Sequence, residues 1–223
     1  MTLDVLRKNG AVWAGFVLAT FVAGCFTAQA RAETETRTIA PFHAIAFQGS
    51  WTVEVTVGKE QSVVIEGDKA VIGHVKSEVV DGQLRLGVED DHRSFFEHFD
   101  VGNLTARITV PSLTAFVLQG SGRAHVVGFN GGAAQFALDG SGDLSADGHV
   151  DTLALVVNGS GTADFSRLVS DKVSTTINGS GDITVRPGQS LAAVVNGSGQ
   201  VNYIGDGAKV TSVVNGSGAV EKQ

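Results

Sequence analysis

From Phe116 onward the chain alternates apolar and polar positions with a period of two, and the alternation is cut at regular intervals by the triplet Gly-Ser-Gly. Two residues before each triplet stand Leu118, Leu138, Val157, Ile177, Val195 and Val214. Two residues further back stand Phe116, Phe136, Leu155, Thr175, Ala193 and Ser212, a column that loses apolar character toward the C-terminus. Beyond the triplets, Ala124, Leu144, Ala163, Ile183, Val201 and Val220 form one apolar column, and Val126, Ala146, Phe165, Val185 and Tyr203 the next. The positions between are mostly polar: Arg123, Asp143, Thr162, Asp182 and Gln200, then His125, Ser145, Asp164, Thr184 and Asn202. A period of two with one apolar side predicts strands that bury one face and wet the other.

The triplets begin at Gly120, Gly140, Gly159, Gly179, Gly197 and Gly216, at intervals of 20, 19, 20, 18 and 19 residues. That period is too regular for flexible linkers and too short for a propeller blade or a helical repeat. Each triplet follows an amide or acidic residue: Gln119, Asp139, Asn158, Asn178, Asn196 and Asn215. Asn-Gly and Asp-Gly are turn signals, because these residues tolerate positive φ. A second break falls half-way round most units, at 128–132, Asp147-Gly148, Pro187-Gly188 and 205–207; the unit around Ser166 to Asp171 lacks the glycine. Two short strands per unit either form successive hairpins in a sandwich or coil so that equivalent positions stack. The identical columns favour coiling into an all-β parallel β-solenoid of about six rungs, roughly 24 Å tall at the spacing of paired strands. The turn ladder then comprises Asp139, Gly140, Asn158, Gly159, Asn178, Gly179, Asn196, Gly197, Asn215 and Gly216. Gly161 and Gly181 are expected to be turn residues with positive φ, which a β-branched side chain resists.

Residues 113–223 carry these repeats, and residues 33–112 do not. In the latter, 42–47, 51–57, 62–66, 83–89 and 104–110 read as strands, and 68–76 as a short helix. The region is expected to cap the first rung, whose unpaired edge would otherwise recruit another chain. Phe47-Gln48-Gly49-Ser50-Trp51 resembles a degenerate repeat unit. At the other end, Glu221 and Lys222 are the charges expected to guard the last edge, unless two molecules meet there as a two-fold pair.

Residues 1–32 read as a signal peptide. Arg7 and Lys8 precede an uncharged run from Ala11 to Gly24, and Ala28-Gln29-Ala30 and Ala30-Arg31-Ala32 offer small-residue cleavage sites. The run is shorter than the roughly 20 residues a membrane-spanning helix needs. Val22-Ala23-Gly24-Cys25 resembles a lipobox, in which Cys25 takes a lipid anchor; both processing routes stay open. Cys25 is the only cysteine, so no disulfide forms within the chain. With 29 glycines, 3 prolines and few aromatics, the composition suits many tight turns. The formal charge is −7, and −9 once Asp4, Arg7, Lys8 and Arg31 leave with the leader. Such a chain lacks the clustered Lys and Arg a nucleic-acid partner demands.

The units, preceded by Ile108-Thr109-Val110-Pro111-Ser112-Leu113, resemble the bacterial family called Putative auto-transporter adhesin, head GIN domain, from about Phe42 to Val220. The resemblance implies a β-solenoid of envelope or surface location. The chain is too short to include an autotransporter's membrane barrel as well.

Chemistry is sparse. In 89–100, His92 and His98 sit among carboxylates, but their spacing matches no defined metal site. With Phe95, Phe96 and Phe99 they read better as a contact loop, since interfaces use aromatics amid polar groups. Asp143, Asp164 and Asp182 lie on outward columns, as the acid pairs of polysaccharide-cleaving β-helices do, yet on different rungs. The repeated serines are too many for a catalytic one, and the glycines lack the Lys-Ser/Thr tail of a phosphate loop. No cofactor is implied. The reading is therefore a non-catalytic, adhesin-like binding or structural module that presents a long uncharged, Ser/Thr/Asn-rich face to a glycan or another envelope component. A β-helix polysaccharide-acting enzyme is the alternative.

Overall fold

A computed structural model of the protein describes residues 32–88 and 103–223. The leader, including Cys25, and the segment holding His92, Phe95, Phe96, His98 and Phe99 lie outside the described residues. In the repeats each triplet joins a strand that approaches it to a strand that leaves it. Thus β8 (Ala115–Gly120) leads to β9 (Arg123–Asn130), and β10 (Ala133–Gly140) to β11 (Asp143–Gly159). From there β11, β12 (Thr162–Gly179) and β13 (Asp182–Gly197) each continue round the far corner to the next triplet, before β14 (Gln200–Tyr203), β15 (Lys209–Gly216) and β16 (Ala219–Lys222).

Successive coils pair in parallel and in register. Phe136 lies beside Phe116 and Leu155, and Leu144 beside Ala124 and Ala163. This is a parallel β-solenoid, not a sandwich of hairpins. Its two sides are an approach sheet, made of the strands before the triplets, and a return sheet, made of those after them. The apolar columns of both point inward: Leu118, Leu138, Val157, Ile177 and Val195 are fully buried, as are Ala124, Ala163, Ile183 and Val201. Side chains of the two sheets meet in the middle, where the Phe136 ring of the approach sheet stands edge-on to Phe165 of the return sheet, with centroids 4.8 Å apart.

Turn geometry follows from the glycines, and the first and third of each triplet serve it in different ways. Positive φ belongs to the first glycine of each triplet, 127° at Gly159 and 138° at Gly179, and not to Gly161 or Gly181. The third glycine is required by space: a Cβ on Gly161 would lie 2.6 Å from the Gly142 carbonyl oxygen, and one on Gly181 2.6 Å from that of Gly161. Those carbonyls are occupied by rung-to-rung hydrogen bonds, with Thr162 N donating to Gly142 O at 3.0 Å and Asp182 N to Gly161 O at 3.1 Å.

The strands before the first triplet extend the stack and close it. β2 (Ala44–Gln48) and β3 (Thr52–Val57) form a rung that pairs in parallel with β8 and β9, with Gly49 N donating to Gln119 O at 3.0 Å. β6 (Gln83–Val88) and β7 (Thr105–Val110) form another, parallel to β2 and β3. Beyond them the direction reverses: β5 (Val75–Val80) runs antiparallel to β6, β4 (Ser62–Asp68) to β7, and β1 (Ala32–Arg37) to β4. Between β4 and β5 a one-turn helix, α1 (Lys69–Ile72), is capped by Asp68, which accepts from Ala70 N at 2.9 Å.

Candidate functional site

The residue before each triplet points outward at the turn edge. Asn158 donates to Asp139 at 2.6 Å, Asn178 to Asn158 at 2.8 Å, Asn196 to Asn178 and Asn215 to Asn196, both at 2.9 Å. Asn158, Asn178 and Asn196 each donate to the rung before and accept from the rung after, while the Asp139 carboxylate only accepts and Asn215 only donates. Gly140, Gly159, Gly179, Gly197 and Gly216 follow this ladder directly, each with its positive φ turning the chain.

Next to the ladder lies the outer side of the approach sheet. Its central column runs Ala46, Val117, Ala137, Val156, Thr176, Val194 and Val213, one residue per rung in register. The column beside it runs Ala44, Ala115, Gln135, Ala154, Ser174, Ala192 and Thr211. Neither carries a charge from β2 to β15, and the side chains are small, so the face is flat. Val213, on the last rung, is 51% exposed. At the N-terminal end the face passes into a groove of about 390 Å³ lined by polar groups that include Gln48, Glu78, Gln83, Arg85 and Gln119.

The outer side of the return sheet is different. It carries Glu54, Arg107, Arg123, Asp143, Asp164, Asp182 and Glu221, with Thr162, Thr184 and Asn202 between. The Ser/Thr/Asn-rich return side is thus charged, whereas on the approach side the two uncharged columns consist chiefly of Ala and Val, and the charges, Lys172 and Lys209, stand in the next column toward the far corner. Arg107 bonds to both Glu66 and Glu54, which together raise its pKa above the ordinary guanidinium value. Asp143 and Asp182 are separated by the Thr162 rung, and Arg123 reaches Asp143 at 3.4 Å. Neither of these carboxylates stands beside the other as an acid-base pair would.

At the far corner, opposite the triplets, the fold brings together His149, Asp151 and Asp171, which the sequence did not single out. The coils of β11 and β12 meet there just after a register shift between Ser145 and Gly148. The C-terminal end of β6 and the N-terminal end of β7 lie at the edge where the other rungs have their triplets.

The family model described as Putative auto-transporter adhesin, head GIN domain matches residues 41–207. Among solved structures, a putative adhesin from Bacteroides fragilis has a TM-score of 0.67 at 20% identity, covering 87% of this chain and 98% of its own. A putative lipid binding protein from Parabacteroides distasonis has a TM-score of 0.55 at 20% identity, covering 86% and 96%. At that identity the likeness speaks for the solenoid alone. No curated protein matches the chain.

Proposed function

Since the chain belongs to the Putative auto-transporter adhesin, head GIN domain family, we propose that it is an exported envelope protein whose solenoid is a non-catalytic binding module, with the approach face laid flat against another envelope component. The observation that carries this reading is the pair of uncharged columns centred on Val117, Val156 and Val194. A face of small residues in seven registered rungs desolvates at little cost and admits a partner surface along its length. A glycan is the second reading, favoured by the amide ladder, whose Asn side chains offer hydrogen-bonding groups at each rung. The separation of Asp143 from Asp182 supports the non-catalytic reading over a β-helix polysaccharide-acting enzyme, which needs two convergent carboxylates.

Binding of the purified protein to envelope vesicles of the producing cell tests this. Val156→Lys with Val194→Lys is expected to weaken binding at least tenfold, whereas Thr184→Lys, on the return face, leaves it unchanged. Equal loss from both faces contradicts the proposal. Competition by purified envelope polysaccharide would select the glycan.

Export is part of the same proposal. No helix among the described residues is long and apolar enough to cross a membrane. Intact mass is expected to give a chain starting at Cys25 with lipid attached, or near Arg31 or Glu33 without it. A chain that retains Met1 contradicts export.

A further inference from the structure

We propose that His149, Asp151 and Asp171 bind one divalent cation of the zinc type at the far corner of the solenoid. His149 and Asp151 flank the buried Val150 in β11, so both side chains point outward. Val150 pairs with Ser170 and Thr152 with Lys172, which puts Asp151 and Asp171 at the same corner position on consecutive rungs. Paired strands are about 4.8 Å apart, so the fold itself brings the two carboxylates together. The His149 Nε2 atom is 3.9 Å from Asp171 Oδ1, and one donor atom from each of the three residues lies within 4.8 Å of the others.

Two features distinguish this cluster from an ordinary acidic surface. First, like charges stacked directly opposite each other across a strand pair repel, and no Lys or Arg among the described residues forms an ion pair with either carboxylate. The neighbouring corner shows the usual remedy, because Asp147, which faces His125 at 3.8 Å, is joined by Arg167 at 3.1 Å. Second, the surroundings orient one ligand and leave room at another. Gly132 N donates to Asp151 Oδ2 at 2.9 Å, which fixes that carboxylate and leaves its second oxygen available. Gly188, on the next rung, has no side chain; a Cβ there would lie 3.4 Å from Asp171 Oδ1.

Two carboxylates and a neutral imidazole balance a divalent charge, and a mixed nitrogen and oxygen set without sulfur suits zinc-like ions. Ligands at about 2.0–2.2 Å from such an ion draw closer together than they stand here, a movement within reach of outward side chains. Water completes the shell. The ion clamps one rung to the next at the corner where the unit lacks the glycine of its neighbours.

Zinc titration calorimetry on the metal-stripped mature protein tests the proposal. One zinc per chain is expected, with affinity lowered more than about 100-fold by His149→Ala or Asp171→Asn, since loss of a partner that only orients a ligand already costs about 10- to 100-fold. Asp143→Asn, and the double change His92→Ala with His98→Ala, are expected to leave it unaltered. Zinc should raise the melting temperature of the parent protein and not that of the two ligand variants, and without metal Asp171→Asn should melt no lower than the parent because it relieves the repulsion between the stacked carboxylates. Absence of stoichiometric binding, binding that survives both His149→Ala and Asp171→Asn, or binding abolished by the His92/His98 change would each overturn the assignment.

Discussion

Gly58 and Gly161 separate two reasons for using glycine. Gly58 has a φ of 88° and nothing within 4 Å of a built Cβ, whereas Gly161 has no positive φ but a carbonyl oxygen 2.6 Å away. Gly58→Ala therefore carries only left-handed strain, about 1–2 kcal/mol. Gly161→Ala forces two rungs apart and is expected to cost more, at least about 2–3 kcal/mol, while Thr162→Val at the adjacent wet position costs under about 0.5 kcal/mol. Chemical denaturation of the three variants checks the order. Thr175 offers a change of opposite sign. It stands in the inward column between Leu155 and Ala193, 1% exposed, and its hydroxyl has no hydrogen-bond partner. Thr175→Val keeps the shape, removes the unsatisfied group, and is expected to stabilise by about 1 kcal/mol, read in the same measurement.

Elements whose inward columns are apolar were legible in the sequence, and those held by other means were not. β3 and β7 were expected because Val53, Val55, Ala106 and Ile108 alternate with polar residues. β1 reads Ala-Glu-Thr-Glu-Thr-Arg and has no apolar face, so its pairing with β4 follows from the strand edge that β4 offers. β5 begins Val-Lys-Ser-Glu and was overlooked for a similar reason. The helix expected over 68–76 is a single turn, Lys69–Ile72, and Val75 and Lys76 belong to β5 instead. At the C-terminal side, β16 is fastened by Lys222 to Asp206, the hydrogen bond holding the Asp206 carboxyl below its ordinary value of 3.8 and the Lys222 ammonium above its ordinary 10.5. A depressed carboxyl stabilises above its unfolded pKa and loses that contribution as pH falls through the folded value; a raised ammonium stabilises below its unfolded pKa and loses it as pH rises. The tie is therefore complete between those two pH values. Amide exchange in β16 should be faster in Asp206→Asn than in the parent at pH 7, and the difference should vanish as the medium is acidified through the lowered carboxyl pKa.

At the scale of the molecule, one repeat of about nineteen residues generates two unlike outer faces, because the residues between the inward columns differ before and after the triplet. The amide ladder could be read from the sequence, since stacked positions recur at the repeat length, but the uncharged face was expected to be rich in Ser, Thr and Asn and instead consists of the Ala and Val columns of the approach sheet. The His149, Asp151 and Asp171 cluster could not be read there, because it depends on how β12, whose corner has no glycine, comes back into register with β11 after the shift between Ser145 and Gly148. The groove beside Arg85 was equally hidden: it needs β6 to stack under β2, although β6 comes later in the chain. The binding role proposed for this protein rests on which face meets the partner. Hydroxyl-radical footprinting of the protein bound to envelope vesicles reads that directly. Protection of Val117, Val156 and Val194 with Thr162 and Thr184 still reactive is the predicted result, and protection of the return face with Val156 and Val194 unprotected would contradict it.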